Sequence, residues 1–220
     1  YDVPVWDFRA KGVTSISADV HKYGYAAKGA STVTYRDADL RKHQFYAYPD
    51  WPGGLYVTPT MAGARPGGAV AAAWAVMHHL GEQGYVALAK AAMDATNEIK
   101  AGIESIEGLR IMGEPHMTVF AFDSDEVDVF ALGEKMDARG WHLDRNQFPS
   151  ALHMMVTPAH AEVTEELIAA LRAAMQETRE LPAGSAEGMA ALYGAAAVMP
   201  DRGAVNDFAI GFMDQLYTIT

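Results

Sequence analysis

Two lysines six residues apart lie in the segment SISADVHKYGYAAKGAST, residues 15–32. Lys22 directly follows His21, Lys28 supplies a second cation nearby, and glycines at positions 24 and 29 let the backbone approach a ligand. A lysine amine must lose its proton before it acts as a nucleophile or forms a Schiff base, and desolvation or a neighbouring cation favours that loss. The segment therefore fits either a Schiff-base lysine with an anion-binding neighbour or a glycine-rich turn with two exposed lysines.

Four stretches of the chain together resemble one family of enzymes. They are GVTSISADVHKYGYAAKGASTVTYRD (residues 12–37), DWPGGLYVTPTMAGARPGG (50–68), RGWHLDRNQFPSALHMMVT (139–157) and GMAALYGAAAVMPDRG (188–203). The Ser-x-x-x-His-Lys core that ends at Lys22 resembles the pyridoxal-phosphate-dependent group II decarboxylase-like enzymes. The YGYAAKG extension, the GARPGG loop and the GMAALYG tail are similar more narrowly to the sphingosine-1-phosphate lyases, and the resemblance covers essentially the whole chain.

The resemblance implies roles for the residues of the first stretch. Lys22 matches the lysine that forms the internal aldimine with pyridoxal 5'-phosphate, and His21 matches a residue that packs beside the cofactor and helps to hold its phosphate. Lys28 matches a second lysine, which implies contact with the substrate phosphate or assistance in proton transfer. Tyr23 and Tyr25 are bulky enough to form a wall of the site, but the resemblance gives neither a role.

A second group of candidates lies further along the chain. The resemblance places the loop 57–68 at a subunit interface, where Thr58 and Thr60 would donate to the cofactor phosphate of the partner, and so implies a homodimer. The glycine pair at 67–68 precedes a predicted helix N-terminus, which favours anions. Arg65 fits a carboxylate or phosphate of the substrate, or else a structural ion pair. Tyr193 matches a tail that folds back toward the substrate, although core packing is the favoured reading.

The remaining histidines are weaker candidates. His78 and His79 lie in an alanine-rich helical stretch without carboxylates at ligand spacing, so we expect no metal site there. His153 lies in an alternating, strand-like stretch, where packing is commoner than catalysis.

The elements that must position these residues follow from the hydrophobic pattern. Alternating β-branched residues predict neighbouring strands at 12–19 and 30–37, whereas the Pro-, Gly- and aromatic-rich stretch 41–68 predicts a long irregular segment. Helices are predicted from about residue 66 with a break at 81–84, then at 127–139 and 163–180, and the tail 189–217 predicts one or two further helices around residues 200–203. Strands are predicted at 109–112, 117–122, 141–143 and 152–156. The order indicates an α/β protein.

The family resemblance assigns this α/β pattern to a PLP-dependent transferase-like fold of type I. Residues 1–80 would then be the end of the large cofactor-binding domain, and residues 81–220 the smaller C-terminal α/β domain. In the resembling enzymes the carboxylate that pairs with the pyridine nitrogen lies upstream of the lysine strand, and Asp2 and Asp7 stand in the wrong context for it. We therefore expect the 220 residues to be a piece of a longer polypeptide and to be inactive alone.

Composition excludes several classes of function. The net charge of −11 argues against a nucleic-acid surface, and the lack of cysteine excludes disulfides, thiolate nucleophiles and cysteine-ligated metals. The longest apolar run, residues 69–77, is about half of the ~20 residues that a spanning helix needs. We expect a cytoplasmic protein, with a membrane anchor upstream of the chain left open.

The predicted activity is that of an aldehyde-lyase. The resemblance implies cleavage of the C2–C3 bond of a phosphorylated sphingoid base, giving a fatty aldehyde and phosphoethanolamine. Two alternatives stay open at this point. A group II amino-acid decarboxylase would share the reactive lysine and cleave a different bond, and a non-catalytic dimerisation module would lack turnover.

Overall fold

The computed structural model describes residues 1–182 and 188–218 of the chain. They form two compact units, Tyr1–Ala87 and Leu88–Thr220. The sequence-based division into the end of a large cofactor-binding domain at residues 1–80 and a smaller domain at residues 81–220 stays a prediction. No helix in the described ranges is long and apolar enough to span a membrane.

The first unit begins with the predicted strand pair. Strand β1 (Ser15–Ala18) runs antiparallel to β2 (Thr32–Tyr35), with Ser15 opposite Tyr35 and Ala18 opposite Thr32. Both lysines of the SISADVHKYGYAAKGAST segment lie in the connection between these strands. The prediction of two neighbouring strands joined by a long turn is confirmed.

The stretch 41–68 is more ordered than the sequence predicted. A short helix α1 (Ala38–Arg41) and a 3₁₀ turn (Lys42–Gln44) precede strand β3 (Tyr46–Tyr48), which pairs antiparallel with β4 (Tyr56–Thr58). The reversal is possible because Gly54 adopts a φ of 110°, and its N–H donates to the Trp51 carbonyl at 2.8 Å. The prediction of a wholly irregular segment was therefore wrong.

Helix α2 (Gly67–Glu104) contains the predicted break. Gly81, with φ 58° and ψ −178°, is not helical, and alanine-rich helix continues on both sides of it. The second part carries Ile99 and Ile103, both fully buried, into the core of the second unit.

The second unit is a four-stranded antiparallel sheet with helices packed on it. The strands β5 (Leu109–Ile111), β6 (Val119–Ser124), β7 (Asp144–Gln147) and β8 (Ser150–Met155) lie in the order β5-β6-β8-β7. Helices α3 (Val129–Asp137) and α4 (Thr164–Arg179) contribute apolar residues to one core, and a 3₁₀ turn (Pro158–Glu162) precedes α4. Alternation along β6 and β8 sends Phe120, Phe122, Leu152 and Met154 into that core.

The strand predicted at 141–143 was wrong, because the backbone of Trp141 is bonded to the end of α3 and residues 141–143 are not part of a strand. The N–H groups of Arg139 and Trp141 donate to the Met136 carbonyl at 2.9 and 3.0 Å, and Gly140 has a φ of 83°. This left-handed residue is a common way to end a helix. The strand begins only at Asp144.

The tail, for which one or two helices are predicted around residues 200–203, forms two helices. They are α5 (Gly188–Val198) and α6 (Arg202–Tyr217). The Asp201 side chain caps α6 by accepting from the N–H groups of Gly203 and Ala204. The break predicted at 182–185 lies, after Pro182, outside the described residues.

Candidate active site

Lys22 lies in a tight turn that follows strand β1. Its N–H donates to the Asp19 carbonyl at 2.9 Å, and its own carbonyl accepts from the Tyr25 N–H at 3.0 Å. The Ala26 N–H closes the turn by donating to the Val20 carbonyl at 3.0 Å. The turn requires glycine at position 24, because a Cβ there would lie 2.4 Å from the Val20 carbonyl oxygen. The sequence therefore fixes the course of the backbone on both sides of Lys22.

The Lys22 ammonium is ion-paired with Asp19, three residues earlier. The Nζ atom lies 2.8 Å from one carboxylate oxygen, and the Ser31 hydroxyl donates to the other at 2.5 Å. The hydrogen bond from Lys22, followed by that from Ser31, holds the pKa of Asp19 below its usual range. Sequence reasoning missed Asp19 and Ser31, although the spacing of Asp19 and Lys22 is typical of a one-turn ion pair.

An open pocket of about 550 Å³ lies against this turn. Its lining combines the end of β1 with the turn itself: Ser17, Ala18, Asp19, Val20, Lys22, Tyr23 and Gly24. The Lys22 side chain is 61% exposed, so the amine is accessible to a small molecule in this pocket. The predicted wall residue Tyr23 lines it.

His21 is partly buried, and one of its ring nitrogens contacts the protein backbone. Its Nδ1 lies 3.3 Å from the Ala30 carbonyl oxygen. A carbonyl only accepts, so this contact requires the proton on Nδ1. The Nε2 atom is the ring nitrogen that remains for a ligand.

Lys28 is exposed and forms no ion pair with any described residue. It follows the turn by a few residues, and Gly29 next to it adopts a φ of 117°. An ammonium without a carboxylate partner is a suitable anchor for an external anion such as a phosphate.

Thr58, Thr60 and Arg65 form a local network of their own. The Thr58 hydroxyl donates to the Thr60 carbonyl at 2.9 Å, and the Thr60 hydroxyl donates to the Ala62 carbonyl at 3.1 Å. The Arg65 guanidinium donates to the Thr60 hydroxyl oxygen. In the described ranges, no hydrogen bond or ion pair joins this network to Lys22 or Lys28.

Tyr193 lies in the second unit and is partly buried beside the core. Its ring centroid is 6.1 Å from that of Phe130, and its carbonyl accepts from the Gln147 side chain at 3.4 Å. These are contacts of a packed side chain, and packing is the role that the sequence favoured for Tyr193.

The weaker candidates His78 and His153 contact neighbouring residues. His153 is 3.5 Å from the exposed Asp144 carboxylate, and His78 contacts the Trp74 carbonyl at 2.9 Å and stacks on the Trp74 ring at 4.0 Å. Among the described residues, no group of three or more His, Asp or Glu side chains is placed to hold a metal ion.

Comparison with known proteins gives a consistent result. No family model matches the chain. The sphingosine-1-phosphate lyase of Arabidopsis thaliana is 46% identical over 217 residues, which are 99% of this chain and 40% of the relative. Sphingosine-1-phosphate lyase 1 of Rattus norvegicus is 40% identical over 215 residues, 97% of this chain and 38% of that protein. The chain thus spans about 40% of the length of the curated relatives it matches.

Solved structures support the same relationship. A sphingosine-1-phosphate lyase of Burkholderia pseudomallei matches all of this chain with 45% of its own, at 37% identity and a TM-score of 0.84. Glutamate decarboxylase of Lactobacillus brevis matches 80% of this chain with 43% of its own at a TM-score of 0.64. At 19% identity, this match shows that the two chains share a fold, but it does not favour decarboxylation as the reaction of this chain.

The chain thus has the fold called PLP-dependent transferase-like, type I, which it shares with both solved structures. Within that class, the chain is homologous over its whole length to the C-terminal portion of the sphingosine-1-phosphate lyases. The resemblance read from the sequence is confirmed.

Proposed function

We propose that this chain is the C-terminal part of a pyridoxal-phosphate-dependent carbon–carbon lyase. Its substrate would be a phosphorylated sphingoid base, and its products a fatty aldehyde and phosphoethanolamine. The observation that carries the proposal is an accessible lysine, Lys22, at the edge of a pocket in a chain homologous throughout to such lyases. Sharing a fold with glutamate decarboxylase is weaker support for the alternative reaction.

The residues of the turn fit the cofactor by their chemistry. Lys22 supplies an exposed amine for the cofactor aldehyde, and the Nε2 of His21 is available for its phosphate once protonated. Thr58 and Thr60 are proposed donors to the cofactor phosphate of the partner subunit, which requires their hydroxyls to leave the contacts described above. Pyridoxal phosphate, when bound, supplies the electron sink for cleavage of the C2–C3 bond.

The residues proposed to bind substrate differ in their present contacts. Lys28 has no ion partner among the described residues, so it can bind the substrate phosphate without losing an existing interaction. Fixing that phosphate would orient the bond to be cleaved. Arg65 and Tyr193 are proposed as further substrate contacts, with Arg65 released from Thr60.

The assembly and location of the whole protein are also proposals. A homodimer with the loop 57–68 at the subunit interface would let Thr58 and Thr60 serve the partner's cofactor. The cytoplasm is the proposed location. We expect the 220 residues alone to lack turnover, because the related enzymes are about two and a half times as long.

The test uses the longest natural polypeptide that contains this sequence. It is incubated with a phosphorylated sphingoid base, and the aldehyde and phosphoethanolamine are quantified. We expect both products in equal amounts, with turnover abolished in Lys22→Ala. Lys42→Ala is the matched control, since Lys42 is an exposed lysine paired with Asp39 at 3.0 Å outside the turn.

Borohydride reduction followed by peptide mapping locates the reactive amine independently of substrate. A pyridoxyl group on Lys22 supports the proposal, and one on Lys28 alone would reverse the roles of the two lysines. Release of carbon dioxide from an amino acid, without aldehyde from the sphingoid base, would favour the decarboxylase. A full-length protein that is not labelled at all would favour the non-catalytic module.

A further inference from the structure

The turn that carries Lys22 is held by a residue far away in the sequence. The Tyr85 hydroxyl donates to the Gly24 carbonyl at 2.8 Å, across 61 residues. Tyr85 lies in the second part of helix α2, beyond the break at Gly81. Gly24 is two residues after Lys22 and lines the same pocket.

A second contact between the same two segments reinforces the first. The ring of Tyr85 lies against that of Tyr25, with centroids 6.4 Å apart and planes tilted by 35°. Tyr25 is partly buried, and this burial, followed by the neighbouring Tyr23 and Tyr85, raises the pKa of its phenol. The Tyr25 phenol therefore stays neutral at physiological pH, and the two rings pack as apolar surfaces that carry a polar group at one end.

The backbone between these contacts is under strain. Tyr25 has a φ of 55°, a left-handed conformation that costs free energy for a bulky side chain. Such a conformation persists only where the surroundings enforce it, and it is enriched at functional sites. Here the Gly24–Tyr25 peptide is fixed from one side by Tyr85 and from the other by the bonds of Tyr25 and Ala26 to Lys22 and Val20.

We propose that Tyr85 is a positioning residue for Lys22. Its hydroxyl and ring hold the strained Gly24–Tyr25 peptide and so keep the Lys22 amine facing the pocket. Without this clamp the turn would relax toward conformations with Tyr25 at negative φ, and the amine would sample a wider range of positions. The effect of Tyr85 on the reactivity of Lys22 rests on the proposed function of Lys22. The effect of Tyr85 on the structure of the turn does not.

The structural part is tested by hydrogen exchange in the full-length protein without cofactor or substrate. In Tyr85→Phe, we expect the Tyr25 and Ala26 amides to exchange about fivefold faster, the effect of one lost hydrogen bond. Tyr217→Phe is the control, because Tyr217 is an exposed tyrosine at the end of α6. Equal exchange of the peptide covering residues 19–28 in Tyr85→Phe and wild type would overturn the clamp.

The chemical consequence is tested by the rate at which borohydride traps pyridoxal phosphate on Lys22. We expect trapping to be about threefold slower in Tyr85→Phe and slower still in Tyr85→Leu, which also removes the ring. Ile103→Val, a small change in the core of the other unit, controls for lost stability. Faster exchange with unchanged trapping would overturn the positioning role. If wild-type Lys22 were not trapped, the proposed function would fail while the exchange result still decided the clamp.

Discussion

The Asp19 carboxylate binds the Lys22 ammonium at 2.8 Å through one oxygen and the Ser31 hydroxyl at 2.5 Å through the other. Both contacts favour the ionised carboxyl and lower the pKa of Asp19. The ion pair is thus present at neutral pH, and it is lost as the pH falls through that lowered pKa. Any reaction that needs the free Lys22 amine competes with this ion pair.

Asp19→Asn is expected to increase the reactivity of Lys22. Removing the carboxylate removes the ion partner of Lys22, so the amine no longer has to leave that contact before it reaches a ligand in the pocket. Exposed ion pairs are weak, and we expect labelling by pyridoxal phosphate and borohydride to be about twofold to fivefold faster. Peptide mapping over time measures the rate. Ser31→Ala, which leaves the charge in place, should change it less; slower labelling in Asp19→Asn would contradict the competition.

Two substitutions of His21 separate the roles of its ring nitrogens. Asparagine places an amide donor near the position of Nδ1, whereas glutamine reaches the position of Nε2. We expect His21→Asn to keep the contact to Ala30 but to weaken pyridoxal phosphate binding about tenfold, the effect of one charge-assisted hydrogen bond. His21→Gln should bind the cofactor more nearly as the wild type does. Titration of cofactor absorbance gives both affinities, and the reverse order would remove His21 from phosphate binding.

Most helices and strands were predictable from the sequence, because the residue patterns that indicate them lie within short segments of the chain. Alternation of β-branched residues predicted β1 and β2, and a glycine in an alanine-rich run predicted the break at Gly81. Prolines 49 and 52 concealed the β3–β4 hairpin, since proline weakens a strand signal. Residues 141–143 have a strand-like composition, but the N–H of Trp141 donates to the Met136 carbonyl at the end of α3, and composition alone does not determine this bond.

The candidate site was predictable only in part for the same reason. The sequence identified Lys22, His21 and Lys28 through their spacing and family resemblance. The contact between Tyr85 and Gly24 joins residues 61 apart, and no local pattern marks Tyr85 among the other tyrosines. Long-range contacts of this kind need the folded chain.

Asp137 is expected to make the stability of the second unit depend on pH. Burial opposes its charge, but the hydrogen bonds from Arg145 at 2.6 Å and His142 at 2.9 Å outweigh burial and lower the pKa of Asp137. A carboxyl with a lowered pKa stabilises the fold above its unfolded pKa, and this contribution is lost as the pH falls through the lowered value.

Asp137→Asn should therefore lower the free energy of unfolding by about 1–2 kcal/mol at pH 7 and by much less near pH 3. Urea unfolding at both pH values measures the difference. Asp144→Asn, at a carboxylate that is 84% exposed, is the control and should have little effect. An effect of Asp137→Asn that stays constant with pH would show that the ion pair contributes nothing.

Gly102 is expected to be required for the packing of α2 against α4. A Cβ at this position would lie 2.6 Å from the Cδ1 and Cγ1 atoms of Ile168. Gly102→Ala gains about 1 kcal/mol of helix propensity but overlaps with the side chain of Ile168, which packs against the core, so we expect a net loss of about 1–2 kcal/mol. Gly211→Ala is the matched control, a helical glycine whose Cβ would meet nothing within 4 Å, and it should be neutral or stabilising.

A double-mutant cycle identifies the cause of the loss at Gly102. Ile168→Ala removes the atoms that the new Cβ would meet. The double variant Gly102→Ala with Ile168→Ala should therefore be more stable than the sum of the two single changes predicts, by about 1 kcal/mol. Urea unfolding of the four proteins gives this coupling energy. Strict additivity, or equal effects of Gly102→Ala and Gly211→Ala, would mean that helix α4 moves aside at no cost and that the close approach does not depend on glycine.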